Sequence, residues 1–353
     1  MIELRHRAMA CDFVVLLPHN EASEPATAAT HPDLDQALDA LQRVDAIESR
    51  LTVYRDDSEI AGINTMAGTG SAPVSPSTLA LVEQSIALSR LTGGAFDITA
   101  GPLVDVWGFS SRKGRKPSDE DIQASLQRVG YEKIEIDQVA KRVRLTEPGM
   151  RINLGAIGKG HAVDRIANEL LRCGIQHFLI HAGHSTVLAR GDQLGRQPTE
   201  NTIGASSKSR DQSSEPQPWG WKVGIAHPTK PARRLTGIVL QNEALSTSGS
   251  GKQFFHHRGK RYGHVIDPRT GYPSGDALQV SVRTSNATTS DAVATACFLF
   301  DARQRRDFAQ KHHWPSISVL AAKRKDDVEV IREGEWLETS IPEEGEAPFG
   351  SGT

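Results

Sequence analysis

Apolar residues recur along the chain at two spacings, and the change from one to the other marks out its elements. From Met9 to Leu17 they run almost unbroken, as Phe13-Val-Val-Leu-Leu17, and stop at Pro18, which reads as a buried strand. Over Asp33–Leu51, the residues Leu34, Leu38, Leu41, Val44 and Ile47 fall three or four apart, on one face of a single helix. Leu79–Leu91 predicts a second helix, stopped by Gly93-Gly94. Ser118 and Asp121 resemble a capping pair, with Asp in place of the usual Glu or Gln, and open a helix through Val129. Lys133–Ile136 and Arg142–Leu145 read as a hairpin.

Ala162–Arg172 predicts a helix with Gly174 just beyond it, leading into a strand over His177–Ile180. Asp192–Pro218 carries no period and is rich in Ser, Gln, Gly and Pro. It reads as a flexible insertion, because a structureless loop of that length is uncommon inside a compact domain. Strands follow at Trp221–Ile225, Gly237–Leu240 and Leu278–Arg283, then an apolar helix over Thr289–Phe300 and another over Ala302–His312. From Glu338 the chain is polar and expected to fray. Helices and strands interleave without strict alternation and without an internal repeat, so the expected class is α+β. The expected layout is one domain over 1–335 with its insertion at 192–218, then a polar tail over 336–353.

Composition narrows the function. The 353 residues are 38% hydrophobic and 24% charged, enough for a sizeable core in a soluble globular protein. A net charge of -2 supplies no field that would draw nucleic acid or an anionic membrane. No apolar run reaches the roughly eighteen residues a transmembrane helix needs. The N-terminal stretch holds Asp12 and lacks a small-residue cleavage site. As it stands the chain reads as cytoplasmic, or as periplasmic or membrane-associated if a leader was removed. Three scattered cysteines make neither a disulfide framework nor a zinc site, and Cys173 and Cys297 read as core.

Four segments concentrate glycine with polar and ionisable residues. Thr92-Gly-Gly-Ala-Phe-Asp-Ile-Thr-Ala-Gly-Pro-Leu103, with Trp107-Gly-Phe109 after it, is either a tight turn over a core ring or a loop that lets backbone approach a ligand. Asn153-Leu-Gly-Ala-Ile-Gly-Lys-Gly-His161 runs straight into the helix that contains Asp164. Free N–H groups, the helix dipole and a lysine suit phosphate there, although the spacing is not that of a Walker loop. Ser246-Thr-Ser-Gly-Ser-Gly251 and Gly263-His-Val-Ile-Asp-Pro-Arg-Thr-Gly271 offer hydroxyls and His264, an imidazole that titrates near neutrality; the second is also ordinary turn chemistry. In Ser290-Asp-Ala-Val-Ala-Thr295, Asp291 and Thr295 lie one helical turn apart on the same side. They form a partial oxygen shell for Mg²⁺, or a polar spot ahead of an apolar helix.

Taken in this order, with Met9 and Leu51-Thr-Val-Tyr-Arg-Asp-Asp-Ser-Glu-Ile60, these segments resemble the FAD:protein FMN transferases, a bacterial family of flavin transferases. The phrases that carry the resemblance are Gly-Ala-Phe-Asp-Ile-Thr, Lys-Gly-x-Ala-Val-Asp, Thr-Ser-Gly, His-Val-Ile-Asp-Pro-x-Thr-Gly and Asp-Ala-x-Ala-Thr, spread over most of Met9–Phe300. The resemblance implies mixed sheets with flanking helices and a flavin site in the cleft between two subdomains. It places FAD contacts on Met9, Tyr54, Ala95, Phe96, Asp97, Asn153, Lys159 and Ile266. It places metal ligands on Asp291, Thr295 and Ala156, the last through its carbonyl. It implies Mg²⁺-dependent transfer of FMN from FAD, as substrate, to a Ser or Thr hydroxyl of an acceptor flavoprotein, leaving AMP. His264 is then the expected proton acceptor and Asp291 the expected catalytic carboxylate.

The chain departs from the family pattern in four places. Asn153 stands where Asp is frequent, and His181-Ala-Gly-His-Ser185 replaces a Gly-Gly-Asp or Gly-Gly-Asn phrase. Gly263 replaces a common Ser, and the lipoprotein signal of many members is missing from this sequence. Two other readings stay open: an FAD pyrophosphatase that uses water as acceptor, and a flavin-binding protein without turnover.

Overall fold

The computed structural model describes residues 1–18, 32–198, 218–251, 253–273, 275–322 and 327–340. Its centre is an eight-stranded sheet ordered β1 (Ile2–Ala8), β2 (Cys11–Leu17), β6 (Phe178–Ala182), β7 (Thr186–Arg190), β10 (Ala244–Gly249), β13 (Ala277–Thr284), β14 (Ser316–Ala321) and β15 (Val328–Glu333), with every neighbour antiparallel. The unbroken apolar run in β2 follows from burial on both faces. Phe13, Val15 and Leu17 face one core, while Val14 and Leu16 face another.

The larger core lies under the helices α1 (Pro32–Gln42), α2 (Val44–Leu51), α4 (Pro76–Leu91), α7 (Gly158–Arg172) and α8 (Ala287–Leu299). The opposite face is covered by a three-stranded sheet of β8 (Trp221–Ala226), β9 (Arg234–Leu240) and β16 (Glu338–Thr339), through Trp221, Val223, Ile225, Ile238 and Leu240. A third sheet joins β3 (Ser71–Pro73), β5 (Arg142–Leu145) and β4 (Ile134–Asp137). The short helices α3 (Glu59–Thr65), α5 (Gly101–Val106) and α6 (Asp119–Leu126), the hairpin β11 (Phe254–His257)–β12 (Lys260–Gly263) and α9 (Ala302–His312) complete the fold. This is an α+β architecture of several sheets with flanking helices. Among the described residues no helix is long and apolar enough to cross a membrane.

Several sequence expectations need correction. The strand beginning at Met9 is the second arm of a hairpin. Met9 and Ala10 form its turn, with φ of 48° and 58°, and β1 precedes them. The helix over Asp33–Leu51 divides at Arg43, where ψ relaxes to -15°. Its buried stripe runs Ala37, Ala40, Leu41, Val44, Ile47, so small alanines carry the contact and Leu38 is exposed. Cys173 is exposed because α7 ends just before it, whereas Cys297 is buried. At the start of the polar segment Asp192 is fully buried, accepting from Arg196, Leu194 N and Gly220 N. Residues 199–217 and 341–353 lie outside the described residues.

One carboxylate sets how α7 and α8 meet. Asp164, on α7, accepts the backbone N–H groups of Ala287 at 2.8 Å and Thr288 at 2.7 Å, and the Thr288 hydroxyl. These are first-turn donors of α8 with no partner within the helix. Burial raises the Asp164 pKa, and the Thr288 and Ala287 hydrogen bonds oppose that shift. Asp164→Asn turns an amide donor toward one of these N–H groups. It is expected to destabilise the protein by ~2–3 kcal/mol, read as a lower midpoint in urea denaturation; an unchanged midpoint would show that the clamp is dispensable.

Candidate functional site

The four glycine-rich segments converge where α7 begins and α8 passes over the sheet. The turn before α7 is fixed by Asn153, whose side-chain oxygen accepts from Gly155 N at 2.8 Å while its own N–H donates to the Ile98 carbonyl at 2.7 Å. Ile157, the residue that opens α7, offers its first turn no side-chain cap. Gly160 lies so close to α8 that an added Cβ would stand 2.2 Å from the Ala287 carbonyl oxygen and 2.9 Å from Asp291 Cβ. Only glycine fits this crossing.

That approach puts Asp291 against the start of α7. Gly160 N–H donates to Asp291 Oδ2 at 3.1 Å, Lys159 Nζ lies 3.7 Å from the same oxygen, and the Thr186 hydroxyl reaches Oδ1 at 3.4 Å. Because Gly160 N–H turns to Asp291, the Ala156 carbonyl one turn back accepts no hydrogen bond among the described residues. Thr295, one turn further along α8, donates to the Asp291 carbonyl at 3.2 Å and shares a 3.1 Å hydrogen bond with Ser248 on β10. It is the one residue of α8 that is not buried. Two residues from Ser248 on the same strand, the buried Ser246 hydroxyl has no partner among the described residues.

His264 follows β12. Its Nδ1 lies 3.2 Å from the Gln253 carbonyl, and its ring meets Phe109 edge-on at 6.4 Å. Burial lowers its pKa; the Gln253 carbonyl opposes this and the nearby Lys159 ammonium adds to it. A small hydrophobic core that includes Trp107, Tyr262 and Ile266 adjoins this segment, tied to the Asp267–Gly271 turn by Trp107 Nε1 donating to the Gly271 carbonyl at 2.8 Å. In the preceding segment, His161 is pulled down to about 4 by burial, with Arg165 and Arg50 adding to the shift, so it stays neutral.

Other expected positions lie further from this convergence or turn inward. Ala95, Phe96 and Asp97 are buried. The Asp97 carboxylate accepts from Thr99 N, Thr99 Oγ1 and Tyr131 N at 2.7–2.9 Å. Burial raises its pKa, against those three hydrogen bonds. Ile266 is buried, and Tyr54 is 77% exposed beyond α2. Met9 N–H donates to Glu48 Oε2 at 2.8 Å, which joins the first hairpin to α2. Sequence reading missed Thr186 as a partner of Asp291. The one signal for it was its place directly after the atypical phrase ending at Ser185.

The donors suit a hard cation of the magnesium type, which binds through one or two carboxylates, keeps waters and takes phosphate oxygens. Asp291 retains lone pairs beyond its two hydrogen bonds, and the Ala156 carbonyl and Ser246 hydroxyl lack partners among the described residues. Among the described residues no three His, Cys, Asp or Glu side chains gather as a cage for a metal, so any cation here relies on its ligand for the rest of its shell.

Comparison with known proteins agrees with this reading of the segments. The family model described as "ApbE family" matches residues 20–320. The chain is 25% identical over 321 residues to the FAD:protein FMN transferase of Haemophilus influenzae, covering 89% of this chain and 84% of that one. It is 29% identical over 305 residues to the enzyme of the same name from Treponema pallidum, covering 84% and 79%. The fold matches the crystal structure of the ApbE protein of Thermotoga maritima with a TM-score of 0.74 at 26% identity, over 94% of this chain and 96% of that one. By the extent of these matches, and by motifs that meet in space as they do in order, the chain belongs to the ApbE family.

Proposed function

We propose that this protein transfers FMN from FAD to a serine or threonine hydroxyl of an acceptor flavoprotein, releasing AMP. The observation that carries the reading is the meeting of Lys159, the N-terminal turn of α7 and the Asp291–Thr295 pair, with His264 close enough to feel the Lys159 charge, in a member of this family. A diphosphate needs this combination: N–H groups and positive charge for its oxygens, and a base near the entering hydroxyl.

Asp291, Thr295 and the Ala156 carbonyl would hold Mg²⁺, which supplies charge neutralisation at the diphosphate when bound. Lys159 orients the phosphates and adds positive charge. The acceptor oxygen attacks the phosphorus on the FMN side, and its proton passes to His264. The bond from that phosphorus to the bridging oxygen breaks, and AMP leaves with the electron pair. Tyr54 offers an exposed ring for stacking, Met9 and Asn153 extend the flavin-binding surface, and the buried Ile266 contributes through its backbone. Ala95, Phe96 and Asp97 contribute through their backbone, since their side chains face inward.

The test is incubation with FAD, Mg²⁺ and a membrane-protein extract, followed by denaturing electrophoresis. Transfer predicts flavin fluorescence retained on a protein band with equimolar AMP. Free FMN without a labelled band would indicate hydrolysis, and retained FAD without AMP would indicate a binding module. A pH profile tests the base. With the His264 pKa held below its ordinary 6.5 by burial, the ring is neutral at pH 7, so kcat/KM should stay level through neutrality and fall only on the acid side of the ordinary imidazole range. The acid limb should vanish in His264→Gln along with most of the rate; a limb that survives would assign the base elsewhere.

A further inference from the structure

A cavity of about 620 Å³ opens beside the site without including Asp291, Thr295, Lys159 or His264. Its walls contain Gly263 and Val265, the two chain neighbours of His264, and Phe298, which lies one helical turn past Thr295 on α8. Three residues of helix rise only about 4.5 Å, so the cavity borders the chain on either side of His264 and lies one turn along α8 from Thr295.

Its charges are unevenly matched. Asp267 is held by Arg269 at 2.7 Å, Asp276 by Arg305 at 2.7 Å, and Asp301 caps α9 by accepting from Gln304 N at 2.8 Å. Lys260 and Arg261, at the head of β12, are exposed cations in the same wall with no carboxylate partner among the described residues. Lys260 lies over the Tyr262 ring at 5.4 Å. Arg261 lies over the Phe254 ring at 4.0 Å and donates to the Ser250 carbonyl at 2.6 Å. These contacts direct both cations without neutralising them.

We propose that this cavity seats the acceptor protein's modified segment, and that Lys260 and Arg261 select acidic residues flanking its hydroxyl. This rests on the transferase reading and adds the partner's chemistry to it. An extended segment lying along Lys260, Arg261 and Gly263 would deliver its serine or threonine past Val265 toward His264. With FAD held at the start of α7, as proposed above, both substrates would occupy the protein at once.

The test uses two short synthetic peptides with a central threonine, one flanked by aspartates and the other by lysines. Binding is read by fluorescence anisotropy, and transfer by flavin retained on the peptide. The wild type should bind the acidic peptide at least about tenfold more tightly than the basic one, with a preference that weakens as salt rises. In the double variant Lys260→Glu, Arg261→Glu that preference should disappear or invert, while FAD affinity, measured by flavin fluorescence, stays unchanged. Equal binding of both peptides, binding of neither, or a preference that survives the double variant would each overturn the proposal. An acidic peptide that binds with this charge dependence but never acquires flavin would support the docking site and count against the transferase reading instead.

Discussion

Replacing Asp291 with alanine is expected to lower AMP release from FAD by at least about 10²-fold, since electrostatic stabilisation at a phosphoryl group contributes several kcal/mol. Asp291 is the only carboxylate among the proposed metal ligands. Loss of its side chain removes the partner of the Gly160 N–H and leaves Lys159 without its counter-charge. The unpaired N–H costs ~1–3 kcal/mol of stability, which a chain of this size tolerates, so circular dichroism should report a folded protein. Asp291→Asn keeps the shape and removes the charge, and it should lose nearly as much activity. Magnesium titration by calorimetry should show weaker binding in both variants. Full activity in either one would remove this carboxylate from the reaction.

Gly160→Ala should do more damage to the fold than any other single methyl addition at the site. The new Cβ would meet the Ala287 backbone carbonyl at 2.2 Å, and a backbone atom cannot swing aside as a side-chain tip can. Overpacking ordinarily costs ~1–3 kcal/mol; here the expected loss is at the upper end or above, because α7 must lift off α8. A thermal melt should fall by several degrees, and activity should fall with it, because the lift carries Lys159 away from Asp291. Activity lost with the melting temperature unchanged would contradict this account. The contrast with Asp291→Ala, in which activity falls and the fold persists, separates the carboxylate's chemistry from the crossing that places it.

Much of this was legible in the order of residues, for identifiable reasons. α7 carries strong periodicity with Gly174 just after it, α4 ends just before Gly93-Gly94, α8 is one long apolar run, and each lies close to where the sequence places it. The Asp291–Thr295 pair could be read because a four-residue step on a helix fixes their relation whatever surrounds them. The strands β10, β11 and β12 were less legible. Ser246 is buried and Thr247–Gly249 half-buried without being apolar, so alternation gives no signal, and the hairpin turns at Arg258-Gly259, both with positive φ, without an Asn-Gly or Asp-Gly pair. β1 escaped notice because charged Glu3, Arg5 and Arg7 alternate with only partly buried neighbours. The Asp164 clamp and the unmatched cations of the cavity depend on contacts between segments more than a hundred residues apart or across a loop, which local pattern does not encode.

Burial of α8 on every side but one has a consequence for motion. A rod gripped all round by packed side chains cannot rotate or slide to meet an incoming molecule, so the carboxylate it carries has one address throughout turnover. Adjustment during the cycle must come from the outer parts, the hairpin 254–263 and the exposed loop around Tyr54. In deuterium-uptake experiments the amides of 289–298 should be among the last in the chain to exchange, opening only when the whole molecule does.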